Sequence, residues 1–285
     1  MALATFVRLV ALPHTVFALP FALASFLIAF NLPGNSAVPR SGLTLVLVIL
    51  CLVSARTAAM AFNRLVDAKY DALNPRTENR ELPQGKLSVR AVILLVIIAS
   101  SVFLWAAGLI GRHCLVLAPF VLLFLLGYSF TKRYTAGSHF VLGLALALAP
   151  GGAWWVVRPE VSIIPIAFMG TVLCWVAGFD ILYSLQDLEF DRLNALYSFP
   201  ARYGIKTALV VSTLLHVGAA SGFVFIGWIL NYPTAYFLGV AVLSVLLLGQ
   251  HLLVTSTDFS RINHAFFTFN GLTSIGYFLL VALMI

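Results

Sequence analysis

An all-α integral membrane protein with about nine transmembrane helices is the fold class this sequence predicts, and three observations carry the prediction. Of 285 residues, 61% are hydrophobic and only 9% charged, with a mean hydropathy of +1.02. A soluble domain carries about 25% charged residues, so lipid rather than water must solvate most of this surface. Apolar runs close to the roughly 20 residues that cross a bilayer core recur from one end of the chain to the other. Lys and Arg, finally, fall unevenly on the breaks between those runs. No stretch reads as a separate soluble domain, so residues 1–285 are expected to form a single transmembrane domain.

The runs lie at 13–30, 43–63, 91–110, 114–130, 139–157, 161–183, 207–229, 233–253 and 264–284. The first follows Arg8 and has the look of a signal peptide, but similar runs follow it, so it reads as a first span. Short polar breaks such as Asn31–Arg40 and Asn231–Pro233 separate most of the runs. Two breaks are long and charged: Arg64–Arg90 after the second run and Ser184–Lys206 after the sixth. With nine spans, one side carries Arg8, Arg64, Lys69, Arg76, Arg80, Lys86, Arg90, Lys132, Arg133, Arg192, Arg202, Lys206 and Arg261, and the other only Arg40, Arg112 and Arg158. Positive residues mark the cytoplasmic side, so both long breaks are expected there, in a bacterial-type inner (cell) membrane.

The net charge is +7, but the basic residues sit beside apolar runs. That placement suits anionic headgroups of the lipid bilayer and anionic substrates, and makes nucleic acid a poor partner. Cys51, Cys114 and Cys174 are far apart in apolar runs and read as small hydrophobic fillers. His14, His113, His139, His216, His251 and His264 show no ligand spacing and read as loop or packing residues.

Of the ten acids, all but Glu160 and Asp258 lie in or beside the two long breaks. Carboxylates gathered in two places on an apolar chain need a partner, and metal is the natural one. In the first cluster Asn63, Asp67 and Asp71 fall at i, i+4 and i+8, one face of a helix. Two carboxylates and an amide oxygen suit Mg2+, which is usually held by one or two carboxylates plus substrate phosphates. Arg76 and Arg80, just beyond, are placed for diphosphate oxygens. A solvated helix end with i,i+4 charge pairs is the blander alternative. Arg56 lies seven residues before Asn63, on the same face and deeper in the membrane. Such an arginine is functional by default, with snorkelling as the alternative.

In the second cluster Asp187 and Asp191 repeat the i,i+4 spacing, Asp180 precedes them by seven residues, and Glu189 points elsewhere on a helix. Facing each other, the two clusters would form a four-carboxylate mouth whose repulsion calls for cations. Two Mg2+ ions bridging a diphosphate resolve it; a proton relay is the alternative. The fourth run ends in Tyr128-Ser-Phe-Thr-Lys132-Arg133-Tyr134. Lys132 and Arg133 are within reach of phosphate, or Arg133 orients an aspartate, or the two are an ordinary positive-inside pair.

Taken together these elements resemble the UbiA superfamily of membrane prenyltransferases. Asn63, Asp67 and Asp71 match its Asn-x-x-x-Asp-x-x-x-Asp motif, and Asp187 and Asp191 its Asp-x-x-x-Asp motif with Asp180 and Tyr183 in the preceding pattern. Tyr128, Lys132 and Arg133 match its Tyr-x-x-x-Lys-Arg element, and Arg56 the arginine before the motif asparagine. With the nine-span layout, the resemblance covers nearly the whole chain. It implies a helical bundle around a central cavity, with the motifs at the cytoplasmic mouth. Asn74-Pro-Arg-Thr-Glu-Asn-Arg80 and Pro13-His14-Thr15 are similar to the 4-hydroxybenzoate polyprenyltransferase branch. Asn74–Thr77 and Tyr183–Asp191 are also similar to a sub-branch proposed to prenylate a dihydroxynaphthoate in futalosine-type menaquinone synthesis. Arg64 departs from the pattern, standing where many members have a second acid.

The resemblance implies Mg2+-dependent transfer of a polyprenyl group from polyprenyl diphosphate to an aromatic acid acceptor in quinone biosynthesis. Asn63, Asp67 and Asp71 are expected on one Mg2+, and Asp187 and Asp191 on the other. Arg76, Arg80, Lys132 and Arg133 are expected to add positive charge or orient ligands, with Tyr128 and Tyr183 in the substrate site. Arg56 is expected to anchor the acceptor carboxylate, and Asp180 to orient the acceptor or a metal-bound water. A membrane transporter with carboxylate cation or proton sites is the reading from another class. Transporters favour helices broken within spans, whereas these acids sit at span ends on one side.

Overall fold

The computed structural model describes residues 2–10, 15–34, 36–39, 42–254, 259 and 262–285. Among them there is no β-strand. The helices are α1 (Ala2–Leu9), α2 (Thr15–Asn31), α3 (Gly42–Leu73), α4 (Val89–Ile110), α5 (Arg112–Gly127), α6 (Ser138–Val157), α7 (Ile163–Tyr183), α8 (Leu188–Leu193), α9 (Phe199–Tyr203), α10 (Ile205–Ile229), α11 (Thr234–Gly249), α12 (Ile262–His264) and α13 (Asn270–Met284). Tight 3-10 turns occupy Tyr128–Arg133, Ser184–Asp187 and Gln250–Leu252, and a π-helical turn, Ala265–Phe269, leads into α13. Among the described residues eight stretches are long and apolar enough to cross a membrane, and Phe17–Asn31 is a shorter apolar helix. These coincide with the nine runs of the sequence.

The boundaries differ most at α3. The apolar run stops at Asn63, but the helix continues to Leu73, 32 residues in all. At 1.5 Å per residue that is about 48 Å, well beyond a hydrocarbon core of about 30 Å. Between Arg64 and Leu73 there is no Gly or Pro, so nothing ends the helix there. It stops at Asn74-Pro75, where the ring of Pro75 disfavours helical geometry at the preceding residue. The Asn74 side-chain oxygen then accepts the Arg76 backbone N–H at 2.9 Å, an Asx turn that redirects the chain.

The chain divides into two compact units: Met1–Thr15 with Val38–Phe130, and Val16–Ala37 with Thr131–Ile285. In the first unit α3 packs on α1, α4 and α5. Ala55, Ala58, Ala59 and Ala61 are buried on α3, small residues that let helix backbones approach in a membrane. Around Ala61, Leu9 and Val92 form a small core with Phe6, Leu65, Leu82 and Leu87. In the second unit α7 packs between α6 and α10. A Cβ on Gly143 would stand 2.7 Å from the Leu173 carbonyl oxygen, and one on Gly222 2.1 Å from Thr171 Oγ1, so glycine sets both separations. Outward side chains such as Ile97 and Leu123 in the first unit, and Trp228 and Val245 in the second, are more than half exposed, as lipid-facing residues should be.

Candidate active site

The first acidic cluster rides on the end of α3. Asn63 Nδ2 donates to Asp67 Oδ2 at 2.9 Å, which leaves the amide oxygen of Asn63 for a cation. One turn on, Asp71 is only 6% exposed. Arg80 Nη1 reaches its Oδ1 at 2.6 Å, and Thr77 Oγ1 donates to its backbone carbonyl at 3.2 Å. The other carboxylate oxygen, Asp71 Oδ2, is buried with no hydrogen-bond partner. The helix face predicted for Asn63, Asp67 and Asp71 is therefore present. Arg80, expected on a diphosphate, lies on Asp71, while Arg76 is exposed.

Deeper on α3, Arg56 Nη1 donates to the Val10 carbonyl at 2.9 Å and Arg64 Nε to the Leu9 carbonyl at 3.2 Å. Both arginines thus answer carbonyls at the C-terminal end of α1, where orphan acceptors and the helix dipole favour cations. This accounts for an arginine at position 64: it ties α1 to α3. Arg8 of α1 adds a longer contact to Glu81, at 3.6 Å.

The second cluster departs from the single helix expected of it. Here α7 ends at Tyr183, and Ser184–Asp187 tightens into a 3-10 turn before the six-residue α8. Ser184 Oγ donates to the Ile181 carbonyl at 2.8 Å, a local bond that competes with the regular helix ladder. Asp187 and Asp191 are buried and Glu189 is exposed, so the two motif acids and the excluded one still part as the sequence suggested. Asp191 is fully buried, with Lys132 Nζ 2.8 Å from its Oδ1. Tyr128 opens the turn that carries Lys132 and Arg133. The ring of Tyr183 packs on Phe266 with centroids 4.2 Å apart, at the edge of an aromatic cluster of Phe17, Trp175, Phe179 and Phe267.

Sequence reasoning missed His139. Read as a loop or packing residue, it instead places Nδ1 2.6 Å from Asp180 Oδ2, on one of the predicted site residues. His216 and His251 do pack: they bond each other at 2.7 Å inside a buried polar network that includes Gln250 and Asn270. Pro13, His14, Arg40, Asp258 and Arg261 lie outside the described residues.

Among the described residues no three of His, Cys, Asp and Glu group into a metal site made by protein alone. Each cluster offers two carboxylates, a number that suits Mg2+, whose remaining ligands are waters and substrate phosphates. The orphaned Asp71 Oδ2 is a donor of the right chemistry for such an ion.

The UbiA prenyltransferase family matches this chain over residues 18–272. The 4-hydroxybenzoate octaprenyltransferase of Nitrosospira multiformis is 31% identical over 230 residues, 80% of this chain and 78% of that protein. Its counterpart in Francisella tularensis subsp. novicida is 26% identical over 223 residues, 78% of each chain. The apo structure of a UbiA homolog from Aeropyrum pernix K1 superimposes with a TM-score of 0.80 at 27% identity, covering 95% of this chain and 96% of that one. A UbiA homolog from Archaeoglobus fulgidus bound to GPP and Mg2+ shares the fold at a TM-score of 0.67 and 20% identity, over 98% and 99% of the two chains. Nearly the whole length of the protein is accounted for in these matches, and the chain belongs to the UbiA prenyltransferase family.

Proposed function

We propose that this enzyme transfers a polyprenyl group from polyprenyl diphosphate to an aromatic acid of the 4-hydroxybenzoate type, in quinone biosynthesis, at the cytoplasmic face of a bacterial-type inner membrane. The observation that carries the reading is the buried Asp71 carboxylate, with one oxygen held by Arg80 and the other without a hydrogen-bond partner. An unanswered buried acceptor costs about 1–3 kcal/mol, and a divalent cation would answer it. The names of the curated relatives support the acceptor class. Homologous structures solved with GPP or DMAPP and Mg2+ support the donor and the ion.

On this proposal Asn63, Asp67 and Asp71 hold one Mg2+, and Asp187 and Asp191 hold a second. When bound, the ions supply charge that makes the diphosphate a better leaving group. Arg80 and Lys132 hold Asp71 and Asp191 in place; Arg76 and Arg133 add positive charge for phosphate oxygens. Apolar walls keep water from the allylic carbon as its C–O bond breaks. The aromatic cluster beside Tyr183 offers π faces to the positive charge that develops there. Arg56 anchors the acceptor carboxylate and Asp180 meets its hydroxyl. The ring carbon ortho to that hydroxyl forms the new bond as pyrophosphate departs, and its proton passes to the released pyrophosphate to restore the aromatic ring. Tyr128 completes the substrate site.

The test is prenyl transfer by purified protein with one donor held fixed and two acceptors, 4-hydroxybenzoate and a dihydroxynaphthoate. Asp67→Ala, Asp71→Ala, Asp187→Ala and Asp191→Ala should each abolish Mg2+-dependent product and pyrophosphate release while the protein stays folded and membrane-inserted. Full activity in any of the four overturns the ligand assignment. Preference for the naphthoate would transfer the chain to the menaquinone reading, to whose sub-branch the Asn74–Thr77 and Tyr183–Asp191 strings are also similar. Family membership sets aside the transporter reading.

A further inference from the structure

The imidazole of His139 links two parts of the second unit that are distant in sequence. His139 stands in the first turn of α6 and is 3% exposed. The backbone N–H of Phe199, at the start of α9, donates to its Nε2 at 3.1 Å. An imidazole nitrogen that accepts a hydrogen bond carries no proton, so in the neutral ring the proton is on Nδ1. Nδ1–H therefore donates to Asp180 Oδ2 across 2.6 Å, and both ring nitrogens are assigned by geometry. The segment that supplies the Phe199 amide is itself pinned to the second cluster. The Leu196 N–H donates to the Asp191 carbonyl at 2.9 Å, and the Tyr197 N–H to the Lys132 carbonyl at 2.7 Å. Asp180 is the more open partner, its side chain 23% exposed against 4% for His139.

We infer that His139 is a positioning residue for acceptor prenylation: it occupies Asp180 Oδ2 in a fixed tautomer and so presents Oδ1 to the acceptor hydroxyl. This rests on the function proposed above. A carboxylate with one oxygen fixed by a buried donor has one orientation, whereas a free one samples several. A misplacement of about 1 Å at such a group costs on the order of 100-fold in rate.

Two substitutions separate positioning from mere support of the Phe199 loop. Asparagine at 139 places an N–H where Nδ1 stands but cannot reach Phe199. Glutamine places a polar atom where Nε2 stands and leaves Asp180 without its donor. With geranyl diphosphate, Mg2+ and 4-hydroxybenzoate, His139→Ala and His139→Gln should lose about 100-fold in kcat. His139→Asn should stay within about 10-fold of wild type. Mg2+-dependent binding of geranyl diphosphate, and the melting temperature, should be preserved in His139→Asn and His139→Gln. Rescue by glutamine and not asparagine, wild-type kcat in His139→Ala, or donor binding lost in step with kcat overturns the inference. A wild-type protein that prenylates neither acceptor overturns the proposed function, and the inference with it. Transfer by the wild type together with an unaffected His139→Ala overturns the inference alone.

Discussion

Replacing Lys132 with methionine keeps the length of the stem and removes the charge that faces Asp191. The ammonium lies 2.8 Å from Asp191 Oδ1; the aspartate side chain is 0% exposed and that of the lysine 35%. Breaking a buried ion pair from one side costs about 3–5 kcal/mol. The water that reaches Lys132 screens the pair and lowers this to roughly 2–3 kcal/mol. For a protein of this size each kcal/mol moves the midpoint by about 2–4 °C, so Lys132→Met should melt roughly 4–12 °C below wild type in EDTA. The same carboxylate is a proposed Mg2+ ligand, so Mg2+ with inorganic pyrophosphate should restore the missing positive charge. Its stabilising effect should therefore be larger in the variant than in wild type. Melting of detergent-purified protein followed by tryptophan fluorescence measures both effects, and the pair Lys132→Met/Asp191→Asn should recover stability in EDTA. If Lys132→Met melts with wild type in EDTA, the ion pair does not hold Asp191. If Mg2+ and pyrophosphate raise both proteins equally, Asp191 is not a ligand.

Arg56→Ala should raise the acceptor KM by roughly 10- to 100-fold, the worth of a charged hydrogen bond, with the donor KM unchanged; steady-state kinetics with each substrate varied decides it. Arg158 donates to the carbonyls of Ala29, Leu32 and Pro33 at the end of α2. Arg158→Ala should therefore lower the melting temperature by several degrees at unchanged kcat/KM, because about 30 Å of α6 separates it from His139. Ala195 holds φ at 52°, where a Cβ costs about 1–2 kcal/mol. Ala195→Gly should raise the melting temperature by a few degrees, and Ala195→Val should lower it.

Hydropathy located the helices because lipid leaves the backbone no alternative: every N–H and C=O within the core must be bonded inside the segment. It misplaced where they stop. A charge ends a lipid-facing run but does not end a hydrogen-bond ladder, so α3 passes through Arg64 and Asp67 and halts only at Asn74-Pro75. The converse holds after Tyr183. The i,i+4 spacing of Asp187 and Asp191 implies a continuous helix, yet Ser184 turns its hydroxyl onto the Ile181 carbonyl and the chain tightens. The acids were visible from composition and position alone, since a carboxylate in an apolar chain is conspicuous whatever backbone carries it.

Partners were harder to read than ligands, and His139 shows why. Its two bonds reach residues 41 and 60 positions away, beyond any spacing rule for one helix. The information was nevertheless present in the span pattern. Two consecutive spans joined by a short break run antiparallel, so the start of the fifth must lie level with the end of the sixth. Here α6 has 20 residues and α7 has 21. Counting inward from a turn near Arg158–Ser162 brings position 139 beside position 180. A histidine at that level, on the side where the acids gather, has a carboxylate as its natural neighbour. Arg64 offered no such route. Its acceptor is a backbone carbonyl of α1, a group every residue possesses and no sequence pattern marks.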